Sequence, residues 1–309
     1  MQNERLKKIS KITNKKYLSI YLDFIKTKII NYANINDYIK YELYNYNKEE
    51  KQSFLTFGLN EKLIKENNMS FDKIYHNKNL FLNKYHHFLN YNYLYLTEYF
   101  SYKKFVTDNP IVLINNEKTT ITSKNNLQIY QDLVTKKVKL ITSYYEPCPE
   151  LQKLCPDNQA FIRFLMYDSN IINAYLFIPY KNNYLFAPIN LETGIVDYPA
   201  LDNKMQTYDK SPYNNENILW LSLPKWPRVK RFAIKVSEYL PEIKYSTIDL
   251  TITNDSPILI NISNKPNYTY YQLPKHRNNN YGIMDYINKI KKEGKKWVFI
   301  LPLIIEVLN

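Results

Sequence analysis

Only four glycines occur in the 309 residues, Gly58, Gly194, Gly282 and Gly294, and no two lie within ten residues of each other. A phosphate-cradling loop needs glycines so that backbone N–H groups can come close to the anion. The chain therefore has neither a P-loop nor a dinucleotide fingerprint. Cysteine is almost as scarce: Cys148 and Cys155, in CPELQKLC, are the only two. With no histidine pair beside them they fall short of the four ligands a structural zinc ion takes, and reduced, structural thiols are expected. Of four histidines, His76, His86, His87 and His276, two are adjacent in NKYHHFLNY. Neighbours on a helix point about 100° apart and do not converge on a metal. No apolar run reaches the ~18 residues of a membrane-spanning helix. The most apolar stretch, WVFILPLIIEVL at 297–308, is interrupted by Pro302 and Glu306 and is expected to form a buried strand or helix. MQNERLKKIS at the start is charged and is not followed by an apolar leader. A cytoplasmic protein is expected.

What is abundant is apolar, aromatic and cationic. Hydrophobic residues make up 45% and aromatics 16% of the chain, enough for a substantial core and too much for general disorder. The net charge is +13, from 42 Lys and Arg against 29 Asp and Glu. Such an excess suits phosphate backbones, anionic lipid or acidic glycans. The lysines are scattered, however, and accompany abundant asparagine, isoleucine and 31 tyrosines, the signature of a biased composition. A nucleic-acid partner is thus disfavoured, and a basic module for nucleic acid or anionic lipid remains only an alternative.

Periodicity divides the chain. Residues 1–105 read as a mostly helical N-terminal region. In YLSIYLDFIKTKII, Leu18, Tyr21, Leu22, Ile25 and Ile29 recur at helical spacing and are expected to form the buried stripe, with LFLNKYHHFLNY as a further helix. Residues 106–309 read as α+β. NPIVLIN, KVKLITSYY, AFIRFLMY and INAYLFIPY are short and rich in β-branched and aromatic residues, as strands are. SLPKWPRVKRFAIKVSEYLPEI then supplies an amphipathic helix with Val229, Phe232, Ala233 and Val236 on its apolar face.

A hairpin follows. In YSTIDLTIT, Ile248, Leu250 and Ile252 alternate with Asp249, Thr251 and Thr253, NDS supplies turn residues, and PILINIS alternates again. A three-residue loop centred on 255 sets Asp249 opposite Asn261 and puts Asn261 and Ser263 on the face of Leu259. Cross-strand Cβ atoms lie about 5 Å apart, so three oxygen-bearing side chains would converge.

At this hairpin the chain resembles the ATP-grasp enzymes, in the branch called sugar-transfer-associated ATP-grasp, over roughly residues 70–287. IDLTITNDSPILINISNKP resembles that family's W-D-x-A-I-T-x-D-G-P-x-L-I-E-x-N strand pair. CPELQKLCPDNQAFIRF is similar to its H-P-E-L…N-P-S-S-x-N-T-x-R segment, and INLETGIVDYP to its I-D-x-E-T-G stretch. Ser211-Pro212, followed by Trp226 in LPKW, has the spacing of its H-P…I-P-x-W, and Gln272 and Gly282 fit its later positions. The resemblance implies an ATP-grasp-like fold. It also implies an ATP- and magnesium-dependent carboxylate–amine ligase, set in surface-polysaccharide biosynthesis, where phosphorylation of a carboxylate precedes attack by an amine.

The same alignment marks departures. The family's metal-binding Asp is present as Asp249, but its Glu is Asn261 and its Asn is Ser263. Its nucleotide-binding Lys-Pro falls on Ile114-Asn115, and its adenine-hinge acids fall on Thr142 and Ser143. Its Asn-Thr becomes Ala160-Phe161, while Arg163 is kept and would steady an acyl phosphate in an active enzyme. At an effective dielectric near 20, one charge pair at 4 Å is worth about 4 kcal/mol, so losing a carboxylate weakens a magnesium site substantially. Arg163 and Asp249 can equally persist as an internal salt bridge. The expectation is a degenerate ATP-grasp protein that binds a glycan intermediate or a protein of a surface-polysaccharide pathway, its exposed tyrosines stacking on sugars, without ATP turnover. The alternative is an active ligase holding magnesium through Asp249, Asn261 and Ser263.

Overall fold

Two antiparallel sheets organise the chain. The computed structural model describes residues 2–67, 78–114, 117–156, 158–239 and 241–293. His76, Asn115, Gly294 and the apolar segment 297–308 lie outside the described residues.

Five helices come first: α1 (Gln2–Thr13), α2 (Tyr17–Asn31), α3 (Ile35–Lys40), α4 (Lys48–Gln52) and α5 (Phe57–Asn67). Asn34 and Asn47 open α3 and α4 with reciprocal capping boxes, to Asp37 and Glu50, which satisfy backbone donors at each helix start. The buried side of α2 is not the one its spacing suggests. Ile20 and Phe24 are buried, with Phe24 edge-on to Tyr38 at 5.3 Å, while Tyr21 and Ile25 are half-buried. Leu18, Leu22 and Ile29 are exposed. A helix apolar on two opposite sides offers two stripes of the same period, and tertiary contacts choose between them.

The segment 80–91 forms two short helices, α6 (Lys78–Lys84) and α7 (His86–Leu89), broken at Tyr85 rather than continuous. Next comes a small sheet of β1 (Tyr93–Tyr95), β2 (Ile111–Ile114), β3 (Glu117–Thr120) and β4 (Leu140–Ser143), in the order β1-β4-β2-β3. Helices α8 (Tyr99–Asp108) and α9 (Asn126–Thr135) cover one face, closing a core of Tyr102, Val106, Val112, Leu133 and Ile141.

After α10 (Pro149–Leu154) the large sheet begins. It comprises β5 (Phe161–Tyr167), β6 (Asn170–Tyr180), β7 (Asn183–Pro188), β8 (Ala200–Leu201) and β9 (Thr207–Tyr208), then, beyond α11 (Trp226–Glu238), β10 (Tyr245–Ile252) and β11 (Pro257–Ser263). Their order is β11-β10-β5-β6-β7-β8-β9. Both faces are covered. Strand period two sends Ile162, Phe164 and Met166 of β5 into a core with α6, α10 and α11, and sends Leu165 and Tyr167 into a second core with α1, α2, α3 and α5. The apolar face expected of α11 is in place: Val229, Ala233 and Val236 are buried and Phe232 packs beside them.

The segment after β11 ties the N-terminal helices to the sheet. Gln272 accepts the Leu55 N–H at 3.0 Å and donates back to the Leu55 carbonyl. A Cβ at Gly282 would lie 2.6 Å from the Phe54 Cα, so glycine permits that close approach. His276 closes the same layer. Its Nε2–H donates to the Pro199 carbonyl at 2.9 Å, and its Nδ1 accepts from the Tyr175 hydroxyl at 3.2 Å. Burial pushes its pKa down to about 4, against a smaller opposing effect of the Pro199 carbonyl. The neutral imidazole therefore stabilises the fold, fully above about pH 6.5, and that contribution falls away as pH drops from 6.5 towards 4. It amounts to about 3 kcal/mol. Melting curves of wild type and His276→Gln are expected to diverge across that window, the wild type losing stability more steeply. Parallel curves would refute this account of His276.

Candidate functional site

The hairpin of β10 and β11 places Asp249 opposite Asn261 and Thr247 opposite Ser263, the register expected from the sequence. The route differs. Ile252 pairs with Pro257 across a four-residue connection, and an extra residue at Ile260 shifts the register between Asp249 and Leu250. That bulge compensates the longer loop. It also moves Leu259 to the opposite face: Leu259 pairs with Leu250 in the core beneath α11, so it does not share a face with Asn261 and Ser263.

Asp249 is 5% exposed and does not stand alone. Strand β5 runs beside β10 with Arg163 directly opposite. Arg163 Nε donates to one carboxylate oxygen at 2.7 Å and a terminal guanidinium nitrogen to the other at 2.8 Å. The guanidinium also lies 4.8 Å from the ring centroid of Phe177 and 5.4 Å from that of Phe161. Burial works against its charge, but the Asp249 carboxylate outweighs burial and holds Arg163 protonated beyond its ordinary range. The Ser263 hydroxyl is engaged in its own turn, accepting from the Lys265 N–H at 3.2 Å and donating to the Lys265 carbonyl at 3.3 Å. Asn261 is half-buried on the edge strand.

These groups do not fit magnesium. A hard dication wants several anionic or strongly dipolar oxygens free to turn towards it. Here the one carboxylate has both oxygens committed to a cation, and the hydroxyl is held by backbone. No group of three or more His, Cys, Asp or Glu side chains among the described residues is placed to hold a metal ion.

Between the small sheet and the β11 bulge lies a cavity of about 400 Å³. Thr142 lines it with Leu113, Leu140, Tyr91, Tyr145 and Ile260, and Lys136, Lys137 and Lys139 rim it. The two tyrosine rings sit 5.5 Å apart, and burial raises the pKa of both hydroxyls, keeping them neutral donors. Ser143 is buried, its hydroxyl accepting the Asn92 N–H at 2.9 Å, which joins β4 to the start of β1. Ile114 faces away from the cavity and packs in the small-sheet core.

Sequence reasoning passed over Lys118. It pairs with Leu113 across the β2–β3 hairpin and so shares the cavity-side face, with its Nζ 4.3 Å from the Tyr144 ring centroid. The signal was there: two four-residue runs, IVLI and EKTT, separated by Asn-Asn, fix a two-residue hairpin and hence the pairing. Together, three lysines and two tyrosines line a cleft fit for an anionic ligand with a ring to stack, and Lys118 lies on the same face of the small sheet.

The sugar-transfer associated ATP-grasp family model matches residues 122–292, more than half of the chain, and the chain belongs to this family. Among solved structures it is similar to the ATP-grasp ligase PsnB, with 8% identity over 72% of this chain and a TM-score of 0.43. It is similar also to the macrocyclase MdnC from Microcystis aeruginosa MRC, with 10% identity over 79% of this chain and 73% of MdnC and a TM-score of 0.41. With the D-alanine–D-alanine ligase from Bacillus anthracis the identity is 14% over 63% of this chain and 58% of the ligase, with a TM-score of 0.37. The chain spans 61% of the PsnB structure, less than two thirds of its length. No curated protein matches the chain. None of the described helices is long and apolar enough to cross a membrane.

Proposed function

We propose that this is a degenerate ATP-grasp protein of surface-polysaccharide biosynthesis, acting in the cytoplasm, which binds an anionic glycan intermediate without turning over ATP. The observation that carries the reading is the bidentate Arg163–Asp249 pair. It neutralises the one acid left at the family's metal position. The charge that a ligase spends on magnesium is spent on a side chain. Lys136, Lys137 and Lys139 give the cleft a cationic rim, and Tyr91 and Tyr145 offer apolar ring surface with neutral hydroxyls. Such a lining complements a sugar carrying a carboxylate or phosphate.

A second reading, an active ATP- and magnesium-dependent carboxylate–amine ligase, is favoured by that same cationic rim, since lysines hold nucleotide phosphates equally well. Calorimetry separates the two. On the first reading, ATP at millimolar concentration gives no binding heat with or without magnesium, whereas a uronic-acid oligosaccharide binds with an affinity that falls as salt rises. Magnesium-dependent ATP binding, with ADP released when a carboxylate acceptor is added, would overturn it in favour of the ligase.

A further inference from the structure

The side of α2 turned away from the core is apolar, and nothing described covers it. Ile20 and Phe24 point inward. Leu18, Leu22 and Ile29, spaced four and seven apart, form a second stripe about half a turn away. Leu18 is 65% exposed and Ile29 68%, while Ile12 of α1, at the near end of the same helical hairpin, is 80% exposed. Ile30 and Tyr32, at the end of α2, are exposed as well. Six of the large apolar side chains most exposed among the described residues thus fall between positions 12 and 32. Scattered exposed hydrophobics need no explanation, but a contiguous stripe on one helical hairpin does.

Charge selects the occupant. Residues 2–32 carry seven lysines and Arg5 against two acids, Glu4 and Asp23. Asp23 is already committed inward, accepting from Lys51 at 2.5 Å and from the Tyr38 hydroxyl at 2.7 Å. Lys26 and Lys28 flank the stripe on either side, and Lys11, Lys15 and Lys16 cluster at the α1–α2 turn next to Ile12. A second copy of the chain packed stripe to stripe would bring these cations together, with no exposed acid on α2 to meet them. An apolar helix face rimmed by lysines instead matches the boundary of an anionic bilayer, where side chains enter the acyl region and lysines reach the headgroups.

We propose that the exposed Leu18–Leu22–Ile29 face of α2, with Ile12 and the surrounding lysines, docks the protein on an anionic phospholipid surface. Several cationic groups are drawn to such a surface together, and the apolar side chains add burial, so reversible peripheral binding results. The face lies on the N-terminal helices, apart from the cleft, and the inference stands or falls independently of the glycan reading.

Vesicle flotation of the full chain tests it. The protein is expected to float with phosphatidylcholine vesicles containing about 30% phosphatidylglycerol, and not with phosphatidylcholine alone. Binding should fall steeply between about 0.1 and 0.5 M salt. Leu22→Glu with Ile29→Glu is expected to weaken binding more than about tenfold. Both positions are exposed, so the melting temperature should stay unchanged. Lys26→Gln with Lys28→Gln is expected to weaken binding several-fold while leaving the apolar stripe intact. Failure of the wild type to float with anionic vesicles would overturn the proposal. So would a wild-type dimer, by light scattering, that the Leu22 and Ile29 changes dissociate. A photocrosslinker at position 22 that traps residues 297–308 of the same chain, with no lipid adduct, would overturn it too.

Discussion

Arg163→Met is expected to destabilise the protein by about 3 kcal/mol, with the melting temperature lower by roughly 5 °C. The reason is asymmetric. Asp249 is 5% exposed, lies on a strand paired on both sides, and has both oxygens satisfied by one guanidinium. Removing the cation strands a carboxylate where water reaches it poorly. Asp249→Asn should cost less, about 1–2 kcal/mol, because the Arg163 side chain is 23% exposed and keeps both solvent and its aromatic neighbours. Combining the two changes removes the stranded charge, so the double variant should be no less stable than Arg163→Met alone, giving a coupling energy of about 2 kcal/mol in a double-mutant cycle. Simple additivity would show that the pair contributes nothing as a pair. Magnesium at millimolar concentration should leave the wild-type melting curve where it is, since the oxygens it would use already accept from Arg163. A magnesium-dependent rise would mean that the ion displaces the guanidinium, and the degenerate-site reading would fail.

Much of this site was legible in the sequence because strand alternation is a short-range rule. The order ID and PILINIS sufficed to set Asp249 against Asn261. The agreement nevertheless owes something to compensation, since a bulge at Ile260 cancels a loop one residue longer than expected. Nothing in PILINIS signals that bulge: each residue fits a regular strand, and the irregularity is settled by which apolar side chain, Leu259 or Ile260, fills the core beneath α11. The α2 stripe failed for a related reason. A helix that is apolar on two sides gives periodicity no way to rank them, and Phe24, the residue that docks against Tyr38, lies off the stripe that the spacing picked out. Ile114 was aligned to the nucleotide-binding lysine by position along the chain, but the pleat turns it into the small-sheet core and brings Lys118 of the facing strand to the cleft side. Family motifs locate a strand; only pairing says which face each residue takes.

The positions retained from the family turn out to touch one another, and this supports the last expectation: Gly194→Ala should cost about 4 kcal/mol. Asn190 builds the turn that carries Gly194, its side-chain oxygen accepting the Glu192 and Thr193 N–H groups at 2.9 and 3.1 Å. Gly194 then takes φ +77°, a conformation that costs an alanine about 1 kcal/mol. The larger demand is spatial. A Cβ there would meet the Trp226 Cγ at 2.5 Å and its Cβ at 2.7 Å. Trp226 cannot retreat: it is buried, stacked on Phe164 at 5.6 Å, and held by its indole N–H on the Leu191 carbonyl at 3.0 Å. Overpacking against so fixed a ring adds about 1–3 kcal/mol, or more. Gly194→Asn separates the two contributions, because asparagine tolerates positive φ yet carries the same Cβ. Thermal denaturation should find Gly194→Asn nearly as unstable as Gly194→Ala, with the near-ultraviolet dichroism of the tryptophans altered in both. If Gly194→Asn instead melts close to wild type, the turn's backbone angle sets the requirement, and the contact between Gly194 and Trp226 does not.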